Sequence, residues 1–431
     1  MTILKKKVAA AIITSLVLLP GSTGQTNSER TDGGQNKKAL SIVFASDLHY
    51  LSPAMTDYGE HFMEIIRRAD GKMTHYTPEI IQAFVAQVLE ASPDYVVLSG
   101  DLTLNGDEQS HKDLAALLEL LNEAGIGVYV LPGNHDVDGT AYRFSGDDVL
   151  PIEGTSSQDF VQIYESLGYI QALSKDDASL SYTAKLTEDL WLLMLDVNAN
   201  REKGFIPQQT LSWVKEQLQQ AHESGAAIIG VSHQNLLAHS SLFQYGFQIL
   251  GADDLLTLYK EYGVNLHFSG HMHLQHIMQT EGVTDIATSC MAVTPNQYGV
   301  LEIASNNSMS YKTIPVDVPA WAVKNEKSDE NLLHFSEYAA DFFDQTTEQQ
   351  VLAVLESNNI GREDTEQLRD FAVEVNRRYF AGTLTELPGN GAGLSLWQEK
   401  LPDEFFTRYF KSMTDQPLQD MTRRTWDKQE D

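Results

Sequence analysis

Five short apolar runs, each followed almost at once by Asp, His or Asn, constrain this chain more than any other feature. Residues 42–45, 95–98, 128–131, 227–231 and 266–269 are too short and too apolar for helices and read as buried strands. The first leads into Asp47-Leu48-His49, the second into Gly100-Asp101, and the third into Gly133-Asn134-His135-Asp136. The fourth ends in Ser232-His233 and the fifth in Gly270-His271-Met272-His273. Further strands fit residues 190–195 and 300–303. Between them lie helical patterns. Thr77-Pro78-Glu79 reads as a cap, an early-turn proline and an acidic first turn ahead of Ile80, Ile81, Phe84, Val85 and Val88. Residues 114–121 form a second helix. Strands alternating with helices predict an α/β architecture with sheets covered by helices.

From residue 317 the pattern changes. Leu332, Phe335, Tyr338, Ala339 and Phe342, then Val351, Val354 and Leu355, recur at helical spacing, so residues 317–431 read as an all-helical C-terminal domain. No internal repeat is present. At the other end, Lys5, Lys6 and Lys7 precede an apolar stretch, residues 8–19, that is too short to span a bilayer. Residues 1–24 read as a signal peptide and 25–39 as a flexible linker, which leaves 40–316 as the α/β domain. The segment is similar to the leaders of bacterial surface lipoproteins, but Ser22 stands where a lipid-bearing cysteine is needed. The expectation is an exported protein, secreted or at the cell surface, without a lipid anchor.

The chain has 431 residues, with 60 Asp and Glu against 30 Lys and Arg, for a formal net charge of -30. That excess argues against long nucleic acids as partners. The single cysteine, Cys290, excludes an internal disulfide framework and a thiolate zinc cluster. Ligands bind at the carboxyl ends of strands in open α/β sheets, so five strand ends carrying Asp, His and Asn predict one convergent polar site. Imidazole and carboxylate donors suit manganese, iron or zinc. An Asp can bridge two ions through its two oxygens, and two ions about 3.5–4 Å apart can clamp a phosphoryl group. A tight turn could send His271 and His273 to different ions.

The ordered set Asp-x-His, Gly-Asp, Gly-Asn-His-Asp, a lone His and Gly-His-x-His resembles the calcineurin-like metallophosphoesterase superfamily over residues 40 to about 316. The resemblance implies a two-sheet β-sandwich flanked by helices. It places one ion with Asp47, His49, Asp101 and His273, and a second with Asp101, Asn134, His233 and His271, Asp101 bridging. It makes His135 the group that protonates the leaving oxygen or stabilises the phosphoryl group, with Asp136 orienting its imidazole. The activity implied is in-line hydrolysis by a metal-bridging hydroxide. Asp136 and Gly100-Asp101-Leu102-Thr103 look closest to bacterial cyclic-nucleotide phosphodiesterases, so small phosphodiesters are the expected substrates. The alternatives are a phosphomonoesterase or nucleotidase using the same site, and a surface binding module with a structural metal site.

Two insertions carry aromatics that could stack a base or simply anchor loops: Tyr58, Phe62 and Tyr76 in 50–76, and Phe243, Tyr245 and Phe247 in 234–250, the latter also holding Asn235 and His239. Arg67 and Arg68 read as a solvated helix face. His276, His61, His75, His111, His222 and His267 match no motif position and read as structural or surface residues. Asp196 is balanced between a supporting and a structural role.

Overall fold

The computed structural model describes residues 39–199 and 202–426. The expected signal peptide, and the linker but for Ala39, lie outside them. Among the described residues no helix is long and apolar enough to cross a membrane.

Two sheets form the body. In the first, the strands run in the order Arg423–Trp426, Met309–Pro315, Gln297–Ile303, Leu40–Ala45, Tyr95–Leu98, Gly127–Val130. Its last three strands are parallel and in step, Ala45 opposite Leu98 and Leu98 opposite Val130. The order in the second is His276–Thr280, Val283–Ala287, Leu266–Ser269, Ala227–Ser232, Leu190–Leu195, Tyr182–Thr187, Ala172–Lys175. There too the motif strands, Ala227–Ser232 and Leu266–Ser269, are parallel neighbours. The parallel strands are apolar on both faces because both are covered. One face of each sheet meets the other: the rings of Phe44 and Phe268 stack with centroids 3.6 Å apart, and the Tyr182 hydroxyl donates to the Val130 carbonyl at 2.8 Å.

Helices cover the outer faces. Thr77–Ala91 buries Ile80, Ile81, Phe84, Val85 and Val88, the residues its periodicity marked. Thr77 is its first helical residue rather than its cap, because a 3-10 turn, Thr74–Tyr76, runs straight into it. The Thr77 hydroxyl donates to the Thr74 carbonyl at 3.0 Å and accepts the Leu51 N–H at 3.1 Å. The helix at 114–121 extends to Glu108–Glu123, started by Asp107, whose carboxylate accepts the Ser110 N–H at 2.7 Å. Gln208–Ser224 and Ala252–Tyr262 cover the second sheet with Val214, Leu218, Leu255 and Tyr259.

After residue 317 come helices Val318–Lys324, Glu330–Leu333, Phe335–Ser357, Arg362–Phe380, Ala392–Lys400 and Phe405–Ser412. Their beginning shares the core of the sheets through Trp321, Leu332, Phe335, Ala339 and Phe342. Their later part packs around its own core, with Val351, Leu355, Leu368, Trp397 and Phe410. The region is helical apart from its last described element. Arg423–Trp426 returns to pair with Met309–Pro315 at the edge of the first sheet. Its four residues, Arg-Arg-Thr-Trp, carry no apolar run, since an edge strand is covered on only one side. Gln275 ties the helical region to the sheets. Its N–H donates to the Phe380 carbonyl at 2.9 Å, its amide N–H to the Met421 carbonyl at 3.0 Å, and its amide oxygen accepts the Tyr311 hydroxyl at 3.1 Å.

Candidate metal centre

Every motif sits where a parallel strand gives out. Beyond Ala45 and Leu98 the chains stay paired as loops: Asp47 N–H donates to Gly100 O, and His49 N–H to Asp101 O, both at 3.0 Å. This keeps Asp47, His49 and Asp101 side by side. Asp47, His49, Asp101, His271 and His273 all have positive φ, between 43° and 66°. Such backbone costs on the order of 1–3 kcal/mol per non-glycine residue and persists only where the surroundings over-determine it. Strain thus collects on the residues that face the site. Two glycines allow the approach. A Cβ on Gly133 would lie 2.1 Å from Asp101 Oδ1, and one on Gly270 would lie 2.6 Å from Asp47 Oδ2.

The donors fall into two groups that share Asp101: Asp47, His49, Asp101 and His273 in one, Asp101, His233 and His271 in the other. Nε2 of His49 and of His273 are 3.1 Å apart, with Asp47 Oδ1 3.9 Å and 3.4 Å from them. His233 Nε2 lies 3.3 Å from Asp101 Oδ2, 3.1 Å from Asn134 Oδ1 and 3.2 Å from His271 Nδ1. Asn134 therefore joins the second group, and the turn at Gly270 sends His271 and His273 to different groups. Asp101 Oδ1 accepts the His135 N–H at 2.9 Å, so Oδ2 is the oxygen that faces both groups.

Three observations show that these residues fit cations. First, Asp47 Oδ1 is buried without a hydrogen-bond partner, while Asp47 Oδ2 accepts the His271 N–H at 2.9 Å. Second, the outward ring nitrogens of the second group are committed as donors: His233 Nδ1–H to Ser99 O and His271 Nε2–H to Gly246 O, both at 2.9 Å. Their inward nitrogens are thereby the lone-pair ends, as in metal-binding histidines. Third, the two carboxylates stay ionised although buried. Burial would push the carboxyls of Asp47 and Asp101 up, yet both are held down, Asp101 well below the usual range, by the histidines facing them. Burial likewise opposes a charged His233, but the Asp101 carboxylate lifts it to about 9.

Cys290 also approaches His49 and His273. Its thiol donates to the Asp47 carbonyl at 3.1 Å and burial pushes it well above the usual thiol range. It is a neutral donor that supports the Asp47 loop. No sequence motif marked it, because it reaches the site from a separate loop.

His135 stands at the mouth, its side chain 43% exposed and its Nε2 3.9 Å from Asp101 Oδ2. The role expected of Asp136 needs correction. Its carboxylate is buried and accepts Leu102 N–H, Thr103 N–H, the Thr103 hydroxyl and Gly133 N–H at 2.8–3.0 Å. It clamps two site loops together instead of turning the His135 ring. Asp196 is similar in kind, its buried carboxylate accepting the N–H groups of Leu180, Asn198 and Ala199. His111 hydrogen-bonds the Asp136 carbonyl, His75 the Tyr338 hydroxyl, and His267 the hydroxyls of Ser232 and Tyr259. His276 faces His239, which in turn lies 3.2 Å from Asp285. Arg67 and Arg68 pair with Glu60 and Glu64 on an exposed helix face.

The match to a family model decides what this centre belongs to: residues 40–275 fit the calcineurin-like phosphoesterases. The chain belongs to that family. Residues 317–420 of this phosphoesterase match a second model, the C-terminal domain of cyclic nucleotide phosphodiesterase. No curated protein sequence matches the chain. Among solved structures, a dimetal phosphatase from Danio rerio is 14% identical with a TM-score of 0.45, covering 64% of this chain and 99% of its own. A Thermus thermophilus structure is 11% identical with a TM-score of 0.37, covering 65% of this chain and 100% of its own. The phosphoesterase is a metal-dependent phosphoric ester hydrolase, and its fold implies a dinuclear site for divalent ions.

Proposed function

We propose that this phosphoesterase hydrolyses small phosphodiesters, cyclic nucleotides first among them, and that it works after export. The observation that carries the reading is the pairing of its metal centre with a region matching the C-terminal domain of cyclic nucleotide phosphodiesterase. The net charge of -30 supports small substrates over long nucleic acids. Export rests on the basic and apolar pattern of residues 1–24.

Asp47, His49, Asp101 and His273 would hold one ion, and Asp101, Asn134, His233 and His271 the other; manganese, iron and zinc all suit such donors. Two ions bound there supply positive charge against the phosphoryl oxygens and lower the pKa of water. The protein supplies the alignment. Carbonyls of Ser99 and Gly246 fix the rings of His233 and His271, and the N–H groups of His271 and His135 fix the carboxylates. Hydrolysis forms one P–O bond to water and breaks another, and the departing oxygen needs a proton. His135 Nε2, at the open mouth, is the group placed to give it.

Two measurements bear on this. The chain without residues 1–24, supplied with manganese, should hydrolyse bis-p-nitrophenyl phosphate in preference to p-nitrophenyl phosphate and lose that activity to a chelator. Preference for the monoester would replace this reading with a monoesterase. His135→Gln should lower kcat about 10²–10⁴-fold with metal content unchanged, because His135 belongs to neither ligand group. Loss of metal in that variant would make His135 a ligand instead of an acid.

A further inference from the structure

A cavity of about 240 Å³ opens beside the metal centre and runs into the helical region. At its near end Asp70 lies 3.8 Å from His273 Nδ1, and Met272 and Leu274 flank His273. The Phe247 ring, also at this end, stands 5.1 Å from the ring of His271. At its far end are the rings of Phe243, Phe405 and Tyr409. Phe243 is 6.2 Å from Phe405 and 5.9 Å from Tyr409, and the last two lie nearly parallel. The walls thus come from the loop after His233 and from helices Phe335–Ser357, Arg362–Phe380 and Phe405–Ser412. A larger cleft of about 820 Å³ exists between the first insertion and helix Phe335–Ser357. It touches none of the donors of the metal centre, its Tyr76 and Asn331 are already engaged with Asp329 and with each other, and Glu79, Asp329 and Asp341 line it.

The aromatic cavity has a polar edge. The Asn376 amide donates one N–H to Thr347 Oγ1 at 3.0 Å and accepts the Tyr409 hydroxyl at 2.7 Å. An amide has two N–H donors and two lone pairs, so among the described residues Asn376, which lines the cavity, has one of each beyond these two bonds. Flat apolar walls with one donor and one acceptor match a heteroaromatic ring better than an alkyl chain, which would leave the amide unanswered. The volume is below the range of about 300–1,000 Å³ typical of drug-sized ligands, which suits a single base.

We propose that this cavity is the subsite for the base of a nucleoside cyclic phosphate, with Phe243 and Phe405 as its stacking faces and the helical region as its outer wall. The inference deepens the proposed phosphodiesterase reading and rests on it for the phosphate end. The helical region then selects the organic part of the diester while the strand ends act on phosphorus.

The test uses the full chain and the variants Phe405→Ala and Phe243→Ala, Phe405 being 44% exposed and so replaceable without opening a core. Two substrates are compared, adenosine 3',5'-cyclic phosphate and the base-free glycerol 1,2-cyclic phosphate. Binding of free adenosine to metal-free protein is measured by calorimetry. Removing a base–aromatic stack should raise KM for the nucleotide about 10-fold, leave turnover of the base-free diester unchanged, and weaken adenosine binding by the same factor. Equal effects on both substrates, or adenosine binding that ignores both variants, would overturn the subsite. Wild-type protein that binds adenosine in the cavity yet hydrolyses neither diester would leave the subsite standing and remove the phosphodiesterase reading.

Discussion

Asp101→Asn should abolish turnover, by at least about 10³-fold, a rise of about 4 kcal/mol in the barrier, and should lower bound metal from two ions per chain to one or none. The reason is geometric. Asp101 Oδ2 faces both donor groups, 3.3 Å from His233 Nε2 and 3.9 Å from His49 Nε2. The amide keeps the shape and the bond from the His135 N–H, so the fold should survive with its melting temperature nearly unchanged. It removes the negative charge on which both groups rely, and an amide nitrogen in the place of Oδ2 has no lone pair to offer a cation. Metal analysis and turnover on the same sample decide the matter. Two ions retained with activity lost would assign Asp101 a role in the chemistry alone, and full activity would remove it from the centre.

The second large effect falls on stability. Asp136→Ala strands four buried donors at once, the N–H groups of Leu102, Thr103 and Gly133 and the Thr103 hydroxyl. An unsatisfied buried donor costs about 1–3 kcal/mol. Even with relaxation and entry of water, a loss on the order of 3–5 kcal/mol is expected, which lowers Tm by about 10 °C at 2–4 °C per kcal/mol. Thermal unfolding of the metal-free proteins gives this directly. If Asp136 served His135 instead, the variant would melt normally and show its defect in the pH dependence of kcat. The two roles therefore have opposite signatures.

Much of the centre could be read from the sequence because its donors are local to strand ends. Asp47, His49, Asp101, Asn134, His233, His271 and His273 each follow an apolar run by one to four residues, and parallel strands in step bring those ends together. The role of Asp136 was not legible, since its neighbour in sequence, His135, is not its partner in space. Its four donors come from two loops that only the sheet places side by side. Cys290 escaped for a similar reason: burial and a carbonyl across the site define it, and neither leaves a spacing. The aromatics of 234–250 divided in a way no periodicity shows. Tyr245 is 87% exposed, His239 is buried near Asp285, and Phe243 meets residues more than 150 positions away on Phe405–Ser412. In the insertion 50–76, Phe62 is core while Tyr58 and Tyr76 line the larger, acidic cleft.

Gln275 sits two residues beyond His273 and holds Phe380, Met421 and Tyr311 together. Two family models tile this chain, which suggests parts that could be inherited separately. The tether denies that freedom. A helical region exchanged with that of a relative would have to bring a carbonyl to each of two Gln275 N–H groups, and fill the space beneath Trp321 and Phe335 in a core owned by the sheets. Lineages can therefore drift in what the outer wall recognises, residue by residue, but not trade the wall as a cassette.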